Sequence, residues 1–110
     1  MTKTIAQVLT EAREAAEAKA WSLWVRDEMQ DRGSCGGAIM YLKANTRLAK
    51  EAVALGFASS GGDVSVNYFI PAVVRTQNAD IYQDSMSAFR QVLIDNGYGK
   101  AIKKFWTYID

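Results

Sequence analysis

Residues 4–31 carry one helical pattern with neither proline nor glycine, and a chain of 110 residues has little room for it. Thr4-Ile-Ala-Gln7 has the form of a capping box, in which hydroxyl and amide side chains each satisfy an end amide of the helix. Alanines at 6, 12, 15, 16, 18 and 20 supply high helix propensity. Ile5, Val8, Leu9, Ala12, Ala16 and Leu23 recur near a 3.6 period, with most of the charged residues off that stripe. A helix over 4–31 would span ~40 Å, whereas a globule of this length has a radius of gyration near ~13 Å. Such a helix must overhang the body, break, or pack against a second copy. Trp21, Trp24, Val25 and Met29 widen its apolar surface beyond one stripe. Trp21 and Trp24 are therefore read either as core or as the seam for a partner or a homodimer.

Gly33 ends this helix as the natural left-handed cap, and Ser34-Cys35-Gly36-Gly37 makes a tight connection. Ala38, Met40 and Leu42 alternate with Ile39, Tyr41 and Lys43, which predicts a strand apolar on both faces and so central in its sheet. Asn45 or Thr46 caps a short helix through Leu55, closed by Gly56. Ser59–Asp63 reads as a turn, and Val64, Val66, Tyr68 and Ile70 as one face of a half-buried strand ended by Pro71. Thr76 or Asn78 caps a helix reaching Asn96, with Gly97 after it. Residues 101–109 fit a helix stripe as well as a strand, and the β propensity of Phe-Trp-Thr-Tyr-Ile favours the strand.

The order is α-β-α-β-α-β in one domain, residues 1–110, with a body over 33–110. The expected class is α/β or α+β. A long first helix and further helices pack mainly on one face of a small three-stranded sheet, in two layers. Usual right-handed crossovers would make the sheet parallel, and a mixed sheet is the alternative. The polar positions Ser65 and Asn67 mark one sheet face as less covered.

Composition narrows the chemistry. The chain has no histidine, which removes Ser-His-Asp and Cys-His catalysis, imidazole bases and every histidine-ligated metal site. One cysteine makes no internal disulfide and, without histidine, no structural zinc site. The net charge of +1 provides no global attraction to nucleic acid or anionic lipid. No run approaches the ~18 apolar residues of a membrane span, and residues 1–20 lack a signal-peptide core. The expectation is a cytoplasmic protein with no membrane association, no cofactor and no metal.

Three places carry candidate sites. Glycines around Cys35 permit close approach of backbone amides to an anion, and Arg32 would lower the thiol pKa and help hold the charge. Arg32, Ser34, Cys35 and Gly36, with Arg75 at the start of the last helix, are thus the candidate anion or ligand residues. The plainer alternatives are a tight turn around a small buried Cys35, and helix capping near Arg75. Asp80 and Asp84, four apart on one helix, have the spacing of a weak Mg²⁺ site, but two carboxylates assign none. On the terminal strand, Lys104, Trp106 and Tyr108 share one face, and Lys103, Phe105, Thr107 and Ile109 the other. If the first set lies with Tyr41 or Asn67 on an open sheet face, it forms an aromatic and basic platform. That platform suits protein hot spots or stacked single-stranded bases. The alternative is that Trp106 and Tyr108 are core beneath the long helix.

Cys35-Gly36-x-Ala38, a short helix ending near Gly56-Phe57, Ala88-Phe89-x-x-Val92-Leu93 before Gly97, and a strand closing on Asp110 resemble small uncharacterised bacteriophage proteins over residues 33–110. The resemblance implies a viral protein acting in the host bacterial cytoplasm. It carries no catalytic residues with it. Small phage proteins are often inhibitors that bind host machinery, anti-CRISPR proteins among them. The expected function is a non-enzymatic binder of a host protein or protein complex, acting through Trp21, Trp24, Lys103, Lys104, Trp106 and Tyr108. A single-stranded nucleic-acid binder, and a ligand-binding protein or enzyme on the Cys35 turn, are the alternatives.

Overall fold

The computed structural model describes residues 3–30, 33–74, 76 and 78–109. Its elements are α1 (Ile5–Arg26), β1 (Gly36–Leu42), α2 (Arg47–Ala54), β2 (Ala58–Gly61), β3 (Asp63–Val66), α3 (Ala79–Asp95), a 3₁₀ turn (Gly99–Ala101) and β4 (Ile102–Ile109). The four strands form one antiparallel sheet in the order β2-β3-β1-β4. After α1 this is the β-α-β-β-α-β order of the ferredoxin-like, split-βαβ arrangement. The class is α+β with a long first helix, as the residue pattern predicts, and β1 is internal.

The sheet has four strands where three were expected, and no adjacent pair is parallel. The cause is β2. Ala58-Ser-Ser-Gly61 has no apolar alternation, so it reads as a turn, yet it pairs with β3 across a hairpin at Gly62 (φ +99°). That extra reversal changes the direction of every later strand relative to β1. The strand expected over 64–70 shortens to β3, because the chain leaves the ladder after Val66 and sends Phe69 into the core.

α1 starts as expected: the Thr4 hydroxyl accepts from Gln7 N–H, and the Gln7 side chain accepts from Thr4 N–H. It stops at Arg26, five residues short of the expected end, and so resolves the length problem by breaking. Glu28 N–H donates to Val25 C=O (3.0 Å) and Met29 N–H to Trp24 C=O (2.9 Å), the two bonds of a Schellman end. Glu28 (φ +58°) and Met29 (φ +59°) take the left-handed positions that glycine usually fills. Asp31, the final residue of the expected helix, lies outside the described residues. The other two helices keep their expected caps, Thr46 for α2 and Asn78 for α3.

One core joins all three helices to a single sheet face. Val8, Leu9, Ala12 and Ala16 of α1 and Leu48, Ala49 and Ala52 of α2 meet Met86, Phe89 and Leu93 of α3 over Ala38, Met40, Leu42, Val64 and Val66. The alanines on α1 allow close helix packing on α3. A smaller cluster joins Ala20, Leu23 and Trp24 of α1 to Val74 and to Ile81 of α3.

Candidate binding face of the sheet

Because the core uses Ala38, Met40 and Leu42, strand alternation sends Gly37, Ile39 and Tyr41 to the opposite face. Register then fixes their neighbours. Tyr41 lies between Ser65 of β3 and Lys104 of β4, Ile39 lies opposite Trp106, and Gly37 lies opposite Tyr108. Tyr41 and Trp106 meet edge to face with ring centroids 5.3 Å apart at 73°. The Lys104 ammonium lies 4.6 Å from the centre of the Trp106 ring, a cation–π contact. Ile39, Tyr41 and Trp106 are half-buried, while Lys104 and Tyr108 are exposed. Lys104, Trp106 and Tyr108 thus share an open face with Tyr41, and Trp106 and Tyr108 are not core beneath α1. Phe105 does point into the core, with the Arg90 guanidinium 5.1 Å from its ring centre. Lys103 sits at a register shift in β4 and pairs with Asp63 at 2.7 Å, so its charge is engaged at the side of the sheet.

At the Gly37 end the face is closed by phenols. β3 has left β1 here, and the Tyr68 hydroxyl takes the place of the missing strand. It accepts from Ala38 N–H at 3.0 Å and donates to Ala38 C=O. A side chain on Gly37 would sit 2.7 Å from the Tyr68 hydroxyl and 2.9 Å from that of Tyr108, so glycine leaves room for both. The Tyr68 ring meets Tyr82 of α3 edge to face, with centroids 4.8 Å apart. Burial pushes the Tyr68 phenol up to about 12. The bond to the Ala38 main chain opposes that rise, and the hydrogen bond with Tyr108 adds to it.

The Cys35 turn is built around the start of α3. Cys35 bridges Asn78, and Ala79 N–H donates to Ser34 C=O at 2.7 Å. A side chain on Gly36 would collide with the Tyr108 carbonyl and lie 3.0 Å from Ala79 Cβ, so this glycine permits close approach of α3 to β1. Asp80 N–H donates to Asn78 Oδ1 (2.8 Å), and Asn78 N–H to Thr76 Oγ1 (2.9 Å). Asn78 Nδ2 donates to the buried Asp27 carboxylate (3.4 Å), which also receives the Arg26 guanidinium at 2.9 and 3.2 Å. Arg26 lies 4.0 Å from Asp80 as well. These bonds satisfy the first donors of α3 with groups of the chain itself, which is capping geometry. Cys35 is exposed, so the small-buried-residue reading does not hold. Arg32 and Arg75 lie outside the described residues. Among the described residues no group of three or more Cys, Asp or Glu converges on a metal position.

The two tryptophans of α1 part company. Trp24 is 7% exposed and packs in the smaller cluster with Val74 and Ile81, so it is core and offers no partner surface. Trp21 is 42% exposed, and with Val25 one turn on it makes a short outward apolar patch on α1, while Met29, also exposed, lies past the helix end. Among the described residues no helix is long and apolar enough to cross a membrane.

Matched against protein-family models, curated proteins and solved structures, the chain finds no counterpart in any of the three.

Alternation within the last strand was enough to group Lys104, Trp106 and Tyr108. The partnership of Tyr41 with Trp106 needed the register, which no residue pattern states. Tyr68 as a ladder-closing side chain was missed altogether, since its position follows from β3 ending early.

Proposed function

We propose that this protein is a non-enzymatic binding module that occludes or modulates a macromolecular partner through the open face of its sheet. The observation that carries the reading is the Tyr41–Trp106 pair with Lys104 on the Trp106 ring, on the sheet face opposite the three helices. Rigid aromatics on a sheet lose little conformational freedom on docking, and a tryptophan backed by its neighbours is a typical anchor. The partner class is a host protein or protein complex in a bacterial cytoplasm, with inhibition of the anti-CRISPR or counter-defence kind as the setting. That setting rests on the resemblance to small bacteriophage proteins.

The test is capture from nuclease-treated bacterial lysate with the tagged wild-type chain, Trp106→Ala and Trp21→Ala. The expected result is a stoichiometric protein partner whose capture falls ~10-fold or more with Trp106→Ala, the loss typical of a central aromatic anchor, and is unchanged with Trp21→Ala. Equal capture by all three would overturn the sheet-face reading.

A second reading is favoured by the Lys104–Trp106 contact: single-stranded nucleic acid stacking on Trp106 and Tyr41. It predicts quenching of tryptophan fluorescence by an oligothymidylate, with affinity falling steeply as salt rises.

A further inference from the structure

β4 is an edge strand, and its free side has a definite composition. Ala38 directs both main-chain groups to the Tyr68 hydroxyl, away from β4. Its partner Thr107 therefore forms a non-hydrogen-bonded pair with it and directs its own N–H and C=O outward. By the same alternation Phe105, opposite Met40, and Ile109, opposite Gly36, also direct theirs outward. Among the described residues no strand lies beyond β4. A regular, proline-free edge of this kind is a template for another strand, and natural sheets usually blunt it with a bulge, a charge or a covering element. Here the register shift near Lys103 disturbs only one end, leaving 104–109 regular.

We infer that this edge pairs with β4 of a second copy, in antiparallel register centred on Trp106, to give a continuous eight-stranded sheet. Two observations favour this occupant. First, an antiparallel pair of identical strands is two-fold symmetric, and outward groups must face outward groups. Phe105 of one copy then exchanges both hydrogen bonds with Thr107 of the other, and Trp106 faces Trp106 in the closer, non-hydrogen-bonded position. Second, the charges fit. This register sets Lys104 against Tyr108 of the second copy, an ammonium against an aromatic ring, whereas a register centred on Lys104 would oppose two ammonium groups. The helices remain on the outer faces of both copies' cores, and the two aromatic faces merge into one surface around the Trp106 pair.

The experiment is sedimentation velocity of the full chain over a concentration series, paired with residue-resolved amide hydrogen exchange on the same samples. The expected result is a dimer at high concentration, with the Phe105 and Thr107 amides slowing ~10-fold or more as dimer forms, since only pairing can protect outward amides. Thr107→Pro removes an outward N–H that the β1 ladder does not use, so it should return the dimer to monomer with the fold kept. A chain monomeric at every concentration overturns the inference. So does a dimer whose Phe105 and Thr107 amides exchange as fast as in the monomer, the result expected of pairing through the Trp21 patch. A folded Thr107→Pro chain that still dimerises overturns it too. If Thr107→Pro fails to fold, the wild-type exchange rates decide.

Discussion

The hydroxyl of Tyr68 stands in for a strand: it accepts from the N–H of Ala38 at 3.0 Å and donates to the carbonyl of the same residue. Ala38 is buried, and among the described residues no strand pairs with it on that side. Tyr68→Phe keeps the ring against Tyr82 but leaves both main-chain groups unmet. The expected cost is ~1–3 kcal/mol, the usual penalty for unsatisfied buried groups, read as a lower denaturant midpoint with an unchanged slope.

The same phenol sets an alkaline limit. Its pKa is raised from 10.0 to about 12, so the fold favours the protonated form. The associated stability is fully present below pH ~10 and is lost as pH rises through ~12. Because the ring is partly exposed, solvent weakens this contribution. Stability measured from pH 9 to 12 should fall more steeply for the wild type than for Tyr68→Phe, and parallel curves would contradict the assignment.

Two adjacent glycines hold the site together for different reasons. Gly36→Ala drives a methyl into the Tyr108 carbonyl and Ala79, forcing α3 from β1. Gly37→Ala meets only the hydroxyl ends of Tyr68 and Tyr108, which can shift. Gly36→Ala should cost more, ~2–3 kcal/mol at the upper end for overpacking, and Gly37→Ala less. Thermal denaturation of both variants ranks them.

Glu28 occupies the left-handed position at the end of α1 without being glycine. Left-handed backbone costs a residue with a side chain ~1–2 kcal/mol. Glu28→Gly relieves that cost while giving the unfolded chain more freedom. Glu28→Gly should therefore be more stable than Glu28→Ala, which loses the same side chain, by ~0.5–1 kcal/mol, seen as a higher thermal midpoint.

Much of the fold was legible in the residues. Capping signals at Thr4, at Asn45 or Thr46, and at Thr76 or Asn78 marked three helix starts, and alternation through Ala38, Met40 and Leu42 marked the central strand. Local pattern failed where long-range geometry decides. Ala58–Gly61 became a strand because β3 offered an edge, not because of its own propensity. The left-handed pair at Glu28 and Met29 ended α1 with no glycine signal. The candidate face was half legible: period two grouped Lys104, Trp106 and Tyr108, but only the register brought Tyr41 to Trp106 and Tyr108 over Gly37. At the Cys35 turn the residue pattern was open, because glycine-rich connections serve close approach of many kinds. Here the approach is between α3 and β1.

Trp106→Ala tests whether the aromatic face is built for binding or for stability. The ring is half-buried and outside the core, so its loss should cost only the edge-to-face contact and modest burial, ~1–2 kcal/mol. A loss as large as that of a core aromatic, ~3–5 kcal/mol, would mark the face as structural. Chemical denaturation of this single variant separates the two.

The most direct test of the account is side-chain footprinting by hydroxyl radicals, comparing the chain alone with the chain bound to its captured partner. The sheet-face reading predicts protection of Tyr41, Trp106 and Tyr108 on the open sheet face, with Trp21 on α1 and Met29 just past its end labelled as before. Protection of Trp21 and Met29 with Trp106 unchanged would contradict it and move the binding surface to the helix.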